Sequence, residues 1–157
     1  MPAQPAIDFV RDTTAVLPFP AGKMRRQDEA DDLDERARRD LDRLRWLAMK
    51  SRLVPKPDLE RACYLLAGEP AASLDRYAAA FFRGLDLKSH QRMALYRPGS
   101  RTASEDEIWL LRLVGAWRSD DAAGAAALVA FRIPPESRRW LRFLSRGLQQ
   151  ALDAALT

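Results

Sequence analysis

Apolar residues recur at the spacing of an α-helix along most of this chain. In the first such segment, Leu33, Ala37, Leu41, Leu44 and Ala48 follow at intervals of 4, 4, 3 and 4 residues, which places them on one helix face. No stretch alternates apolar and polar residues for long enough to indicate a strand. The sequence therefore predicts an all-α fold of about seven helices, close to 28–52, 55–67, 74–84, 90–96, 105–118, 122–131 and 135–157.

One segment predicts both a helix start and a place in the core. Ser104-Glu-Asp-Glu107 has the pattern of a capping box, in which the serine and the second glutamate each bind a backbone N–H of the other. The helix that follows, 105–118, is apolar on nearly every side. We therefore expect it in the middle of the core, with Trp109 as an anchor.

The chain divides into an arm and a domain. Residues 1–27 contain four prolines and no helical stripe, so we expect an extended or partly disordered arm, of which residues 1 to about 24 are dispensable for folding. The arm also carries six large apolar residues, which favours docking of part of it on the domain or on a partner. Residues 28–157 are predicted to form a single all-α domain, a size that supports a sizeable core.

A periodic feature raises an alternative to an irregular bundle. Trp46, Tyr77, Trp109 and Trp140 are separated by 31, 32 and 31 residues, each within a predicted helix. Such spacing is typical of short stacked αα-hairpins, as in a tetratricopeptide-like superhelix, whose final helix would act as a cap facing solvent. The irregular bundle is the favoured prediction, because the signature residues of such repeats are mostly missing.

The composition places limits on compartment and class. The longest apolar run, 122–131, is about half of what a bilayer requires, so we expect no membrane association. The N-terminus lacks the pattern of a secretory signal, and one cysteine cannot form an internal disulfide. These features predict a cytoplasmic protein of bacterial type.

The formal net charge of +4 is concentrated in one segment. Between residues 87 and 104 there is no carboxylate, whereas the basic residues there surround Tyr96 and a Pro-Gly turn; they are Lys88, Arg92, Arg97 and Arg101. Cations beside an aromatic ring suit a phosphate backbone or an acidic partner. The favoured interpretation is nevertheless a solvated loop whose charges pair with acids of another helix.

The final helix carries a second group of cations. Arg138, Arg142 and Arg146 are four residues apart, with Arg139 beside them, which predicts a positive stripe. The stripe could meet nucleic acid, an acidic partner, or the acidic start of the first helix at 28–35. The intramolecular pairing is favoured.

No residue is predicted to be catalytic, cofactor-binding or metal-ligating. The single histidine, His90, and the single cysteine, Cys63, are too few for a zinc site, and Cys63 lies in an apolar helix that predicts a buried thiol. Enzymatic activity stays undecided, with a preference against it. The favoured function is a helical interaction protein with a protein partner and an undetermined oligomeric state. Nucleic-acid binding is one alternative; a ligand pocket or active site among the helices, for example beside Trp109, Trp117 and His90, is another.

Overall fold

The structure is a computed structural model that describes residues 33–56, 58–69 and 72–156. Within these ranges the chain is all-helical, as predicted, and contains no strand. The described residues form six helices, one fewer than expected: α1 (Glu35–Ser51), α2 (Leu59–Ala67), α3 (Leu74–Lys88), α4 (Glu105–Arg118), α5 (Ala122–Arg132) and α6 (Pro135–Ala154). The arm predicted over 1–27 lies outside the described residues.

Side-chain caps set the start of five of these helices. Each capping side chain accepts a hydrogen bond from the backbone N–H three residues further on; the caps are Asp34, Asp58, Ser73, Ser104 and Asp121. The capping box at Ser104 and Glu107 is present as predicted. The sixth helix, α6, instead begins with Pro135, whose missing N–H costs nothing in a first turn.

The last helix, α6, is the central helix of the bundle. It packs against α2, α3, α4 and α5, while α1 packs against α3 and α4. One face of α6 is fully buried through Leu141, Leu144, Leu148 and Leu152, each at most 1% exposed. The sequence prediction that 105–118 occupies the middle of the core is correct only for one face, because Ile108 and Leu111 on α4 stay half-buried.

A glycine on α6 makes room for a tyrosine of α3. At Gly147 of α6, an added Cβ would overlap the ring of Tyr77 on α3. The absence of a side chain there leaves room for the Tyr77 ring, and a larger residue would require the ring or the two helices to move.

The stacked-hairpin alternative is wrong. In such an array a final helix would contact only its neighbours and would cover an end, whereas α6 lies among the other helices. The aromatic residues that suggested the repeat are also not equivalent, since Trp109 is 5% exposed and Trp46 is 56% exposed. The irregular bundle is the observed architecture.

One predicted helix boundary and one predicted helix also need correction. Helix α3 passes through Gly84 and ends at Lys88, because Gly84 lies against Leu59 and Leu141 in the core and does not act as a stop. The short helix predicted over 90–96 does not form. The backbone N–H groups of this segment are taken by groups outside it: His90 donates to the carbonyl of Arg132 (2.9 Å), and Ala94 donates to the carboxylate of Asp106 (2.6 Å).

Candidate functional site

The cationic stretch 88–101, called here the basic segment, is held through its backbone. Carboxylates accept from the N–H groups of Ala94 (Asp106), Tyr96 (Glu107, 3.2 Å) and Gly99 (Asp42, 2.9 Å). Gly99 has φ +85°, a conformation that side chains rarely adopt, and this turns the chain toward Asp42. The neighbouring helices therefore place their acids on the backbone of this segment.

The cationic side chains of the basic segment lie at the surface. Lys88, Arg92, Arg97 and Arg101 are all exposed, and Tyr96 is 43% exposed. In the part of the chain that the structure describes, none of the four cations forms an ion pair with a carboxylate. The favoured sequence interpretation is thus half right: the loop is solvated, but the acids do not neutralise its side chains.

A buried ion pair anchors the segment to the bundle. Arg45 of α1 donates from Nε to Glu107 Oε2 (2.5 Å) and from Nη2 to Oε1 (3.1 Å), and the two side chains are 2% and 0% exposed. The remaining Arg45 donors bind Asp42 and the carbonyls of Ser100 and Thr102. Burial lowers the pKa of Arg45, but hydrogen bonds and charge from Glu107 and Asp42 outweigh it, so the pKa is raised overall.

The four arginines of α6 do not act as one stripe. Arg138 donates to the carbonyls of Ile133 (2.8 Å) and Ala130 (3.3 Å), and so caps the end of α5. Arg146 lies over the ring of Trp117, with the guanidinium carbon 5.8 Å from the ring centre. Arg139 and Arg142 are exposed.

Among the described residues, the pairing expected between these arginines and the acidic start of the first helix is not observed. Residues 28–32 lie outside the described residues. Asp34 caps α1, and Glu35 pairs with Arg39 at 3.6 Å, so the two described acids of that region serve their own helix. Arg138 therefore has a structural role, whereas Arg139, Arg142 and Arg146 are exposed, the last of them lying against the Trp117 ring.

Sequence reasoning missed an exposed apolar surface on α2. Tyr64 is 80% exposed and Leu65 is 48% exposed, and Val54 in the preceding connection is 43% exposed. We call these three residues the α2 surface. The signal was available, because six consecutive residues from Ala62 to Ala67 are nonpolar and a nine-residue helix cannot bury all of its sides.

A groove lies on each side of α2. The groove toward α3, of about 240 Å³, contains Val54 and Leu65 in its lining. The groove toward α6, of about 320 Å³, is bordered by Tyr64, Arg139 and Trp140. The α2 surface is therefore a ridge between two depressions, a shape that offers complementary contact to another surface.

A third groove, of about 380 Å³, lies between α4 and α5. Trp109 and Arg132 line it, together with Phe131, which is 76% exposed. Arg132 stacks on Trp109, 5.1 Å from the ring centre, and pairs with Asp106. Neither Trp117 nor His90 borders this groove. The pocket that the sequence suggested beside Trp109, Trp117 and His90 therefore does not form there.

The thiol of Cys63 is buried at 8% exposure, as predicted. Burial raises its pKa to about 11, which keeps it protonated and unreactive near neutral pH. Among residues 33–56, 58–69 and 72–156, no group of three or more His, Cys, Asp or Glu side chains lies close enough together to hold a metal ion.

Comparisons with protein-family models, with curated proteins and with solved structures find no match for this chain. None of the six described helices has the length and apolar character needed to cross a membrane.

Proposed function

We propose that this protein is a non-catalytic helical interaction protein that binds a protein partner through the α2 surface. The observation that carries the proposal is the exposure of the adjacent residues Tyr64 and Leu65 on α2, of which Tyr64 borders one groove and Leu65 lines the other together with the exposed Val54. Isolated exposed apolar residues are common, but a contiguous group marks an interaction site.

The chemistry around the α2 surface supports a protein partner over a small ligand. Tyrosine, tryptophan and arginine dominate the energetics of protein interfaces, and Tyr64, Trp140 and Arg139 border one groove together. The groove of about 240 Å³ lies below the range of roughly 300–1,000 Å³ typical of small-molecule pockets, and the groove of about 320 Å³ lies at its lower end. They suit individual side chains of a partner.

The compartment we propose is the cytoplasm.

Site-specific photo-crosslinking in the native host tests this proposal. A photoreactive amino acid placed at position 64 or at position 65 is expected to capture the same discrete protein. Placed at Gln150, which is exposed on α6, it is expected to capture nothing specific. Excess unlabelled wild-type chain should compete for the capture, and a chain carrying Leu65→Asp should not. No capture, or the same capture from position 150, contradicts the proposal.

A second candidate function, nucleic-acid binding, is favoured by one observation. Asp42, Asp106 and Glu107 bind the backbone of the basic segment and leave its cationic side chains in solvent. Such an arrangement presents fixed positive charge that could contact phosphates. This candidate ranks second because the net charge of +4 is small for a nucleic-acid-binding protein of 157 residues.

A further inference from the structure

The groove between α2 and α3 has a composition that specifies its occupant. Its lining consists of two arginines and seven apolar residues: Arg76, Arg83, Val54, Pro55, Ala62, Leu65, Leu66, Ala79 and Ala80. Among the described residues no carboxylate lines the groove itself, although Glu69 contacts Arg76 and Asp86 lies 4.0 Å from Arg83 beside it. A complementary partner must therefore be apolar between its charged groups and acidic where it meets the arginines.

The two arginines are placed to contact two carboxylates. They are seven residues apart on α3, which puts them on the same face, about 10.5 Å apart along the helix axis. Arg76 is half exposed and pairs with Glu69 at the surface. Arg83 is 15% exposed, its contact with Asp86 is long at 4.0 Å, and its Nε is buried without a hydrogen-bond partner among the described residues.

The part of the groove between the two arginines is lined by small side chains. Ala79 and Ala80 lie between them in the sequence of α3, and Ala62 of α2 faces the same groove. Small residues let the backbone of a neighbouring helix approach closely. Leu65 and Val54 form an apolar edge that remains partly exposed.

We infer that this groove binds an amphipathic helix of the partner, whose apolar stripe is flanked by two carboxylates about seven residues apart. The carboxylates meet Arg76 and Arg83, and the apolar stripe covers the alanines and Leu65. This is helix-in-groove recognition, in which anchors at helical spacing fill one face of a groove. The inference rests on the proposed function and adds the chemistry of the partner segment to it.

The test is selection from a display library of random 16-residue peptides, with the full chain as bait. We expect the enriched sequences to share an apolar stripe with Asp or Glu at positions seven apart. A synthetic peptide of the enriched sequence should bind the wild-type chain, and Leu65→Asp should weaken that binding at least tenfold. Phe131→Asp, at an apolar residue of another groove that is more exposed than Leu65 (76% against 48%), should leave it unchanged.

Charge exchange tests the two carboxylates. Arg76→Glu and Arg83→Glu should each weaken the acidic peptide about tenfold or more, and a peptide with Lys in place of the corresponding carboxylate should regain affinity for the variant. Because Arg83 is the more buried of the two, the Arg83→Glu variant is the one at risk of failing to fold. In that case Arg76→Glu alone provides the test. Peptides that lose affinity with Leu65→Asp but are indifferent to both arginines would overturn this inference and leave the proposed function standing. Enriched peptides indifferent to Leu65→Asp, or no enrichment at all, would overturn both.

Discussion

Arg45 on α1 and Glu107 on α4 form a buried ion pair in which all five N–H groups of the arginine find an acceptor. Glu107 in turn accepts from the backbone N–H groups of Ser104 and Tyr96. One pair thus joins two helices, completes a capping box and holds the basic segment. Full satisfaction of both side chains accounts for their tolerance in the core.

We expect Glu107→Ala to lower the free energy of unfolding by about 3–5 kcal/mol, because it leaves the buried Arg45 charge without a partner. Urea denaturation measures this. The control is Glu35→Ala, which removes the exposed pair with Arg39 and should cost about 1 kcal/mol or less. Equal effects of the two substitutions would show that the buried pair does not hold the fold.

A second network predicts how stability depends on pH. Arg118 binds Asp153 (2.6 Å) and Asp40 (3.0 Å), and the hydrogen bond from Arg118 is the main reason that the pKa of Asp153 is lowered in the folded state. Because the pKa of Asp153 is lower in the folded state, its ionised carboxylate stabilises the fold at pH values above the ordinary pKa of 3.8. This stabilisation is lost as the pH falls below 3.8 and through the folded-state pKa.

We therefore expect Asp153→Asn to be less stable than the wild type near pH 6, with the difference shrinking below about pH 4. Thermal melts over this pH series measure it. A difference that stays constant down to about pH 2 would show that Arg118 does not stabilise the ionised carboxylate of Asp153.

The two tryptophans Trp109 and Trp46 should respond differently to removal. Trp109 is 5% exposed and donates from Nε1 to the carbonyl of Leu128 (2.9 Å), so Trp109→Ala should cost about 3–5 kcal/mol. Trp46 is 56% exposed, so Trp46→Ala should cost no more than about 1 kcal/mol. Chemical denaturation of both variants checks this. Similar costs would contradict the assigned burial and would restore their equivalence in a repeat.

The thiol of Cys63 should be slow to react in the folded protein. With its pKa raised from 9.0 to about 11, the thiolate fraction near pH 8 falls about 100-fold below that of an ordinary thiol. Labelling with iodoacetamide should accelerate at least this much in denaturant. Rapid labelling of the native chain would show that the groove between α2 and α6 opens to solvent.

Random oligonucleotides should bind weakly or not at all near 150 mM salt. If the four cations of the basic segment contact phosphates at lower salt, log K should fall with log salt at a slope of about 3, and Arg97→Ala should reduce the slope by about one unit. Fluorescence anisotropy measures both quantities. Tight binding near 150 mM salt would place nucleic acid ahead of protein as the partner.

Local signals in the sequence predicted local structure well. The capping box at Ser104, the cap at Ser73 and the buried Trp109 are all found as expected, because each depends on residues a few positions apart. The central place of α6 could not be predicted, since helical periodicity shows which face is apolar but not which helices meet. The burial of Arg45 could not be predicted either, because a single arginine in a charged helix gives the same sequence pattern whether it is solvated or buried.

The candidate site was predicted only in part. The exposure of Lys88, Arg92, Arg97 and Arg101 follows from a segment without carboxylates, but their separation from nearby acids depends on backbone contacts across the fold. Arg138 was assigned to a surface stripe because the carbonyls that it binds lie at the end of the preceding helix, and helical spacing alone does not show them. The α2 surface was missed because a nonpolar run usually indicates core.

Hydrogen–deuterium exchange of the full chain, alone and with the protein captured from position 64, tests the central claim most directly. We expect exchange to slow on binding in α2, Leu59–Ala67, and in the connection that carries Val54, with no change across residues 88–101. Slower exchange confined to 88–101, with α2 unchanged, would contradict the claim that this protein binds its partner through the α2 surface.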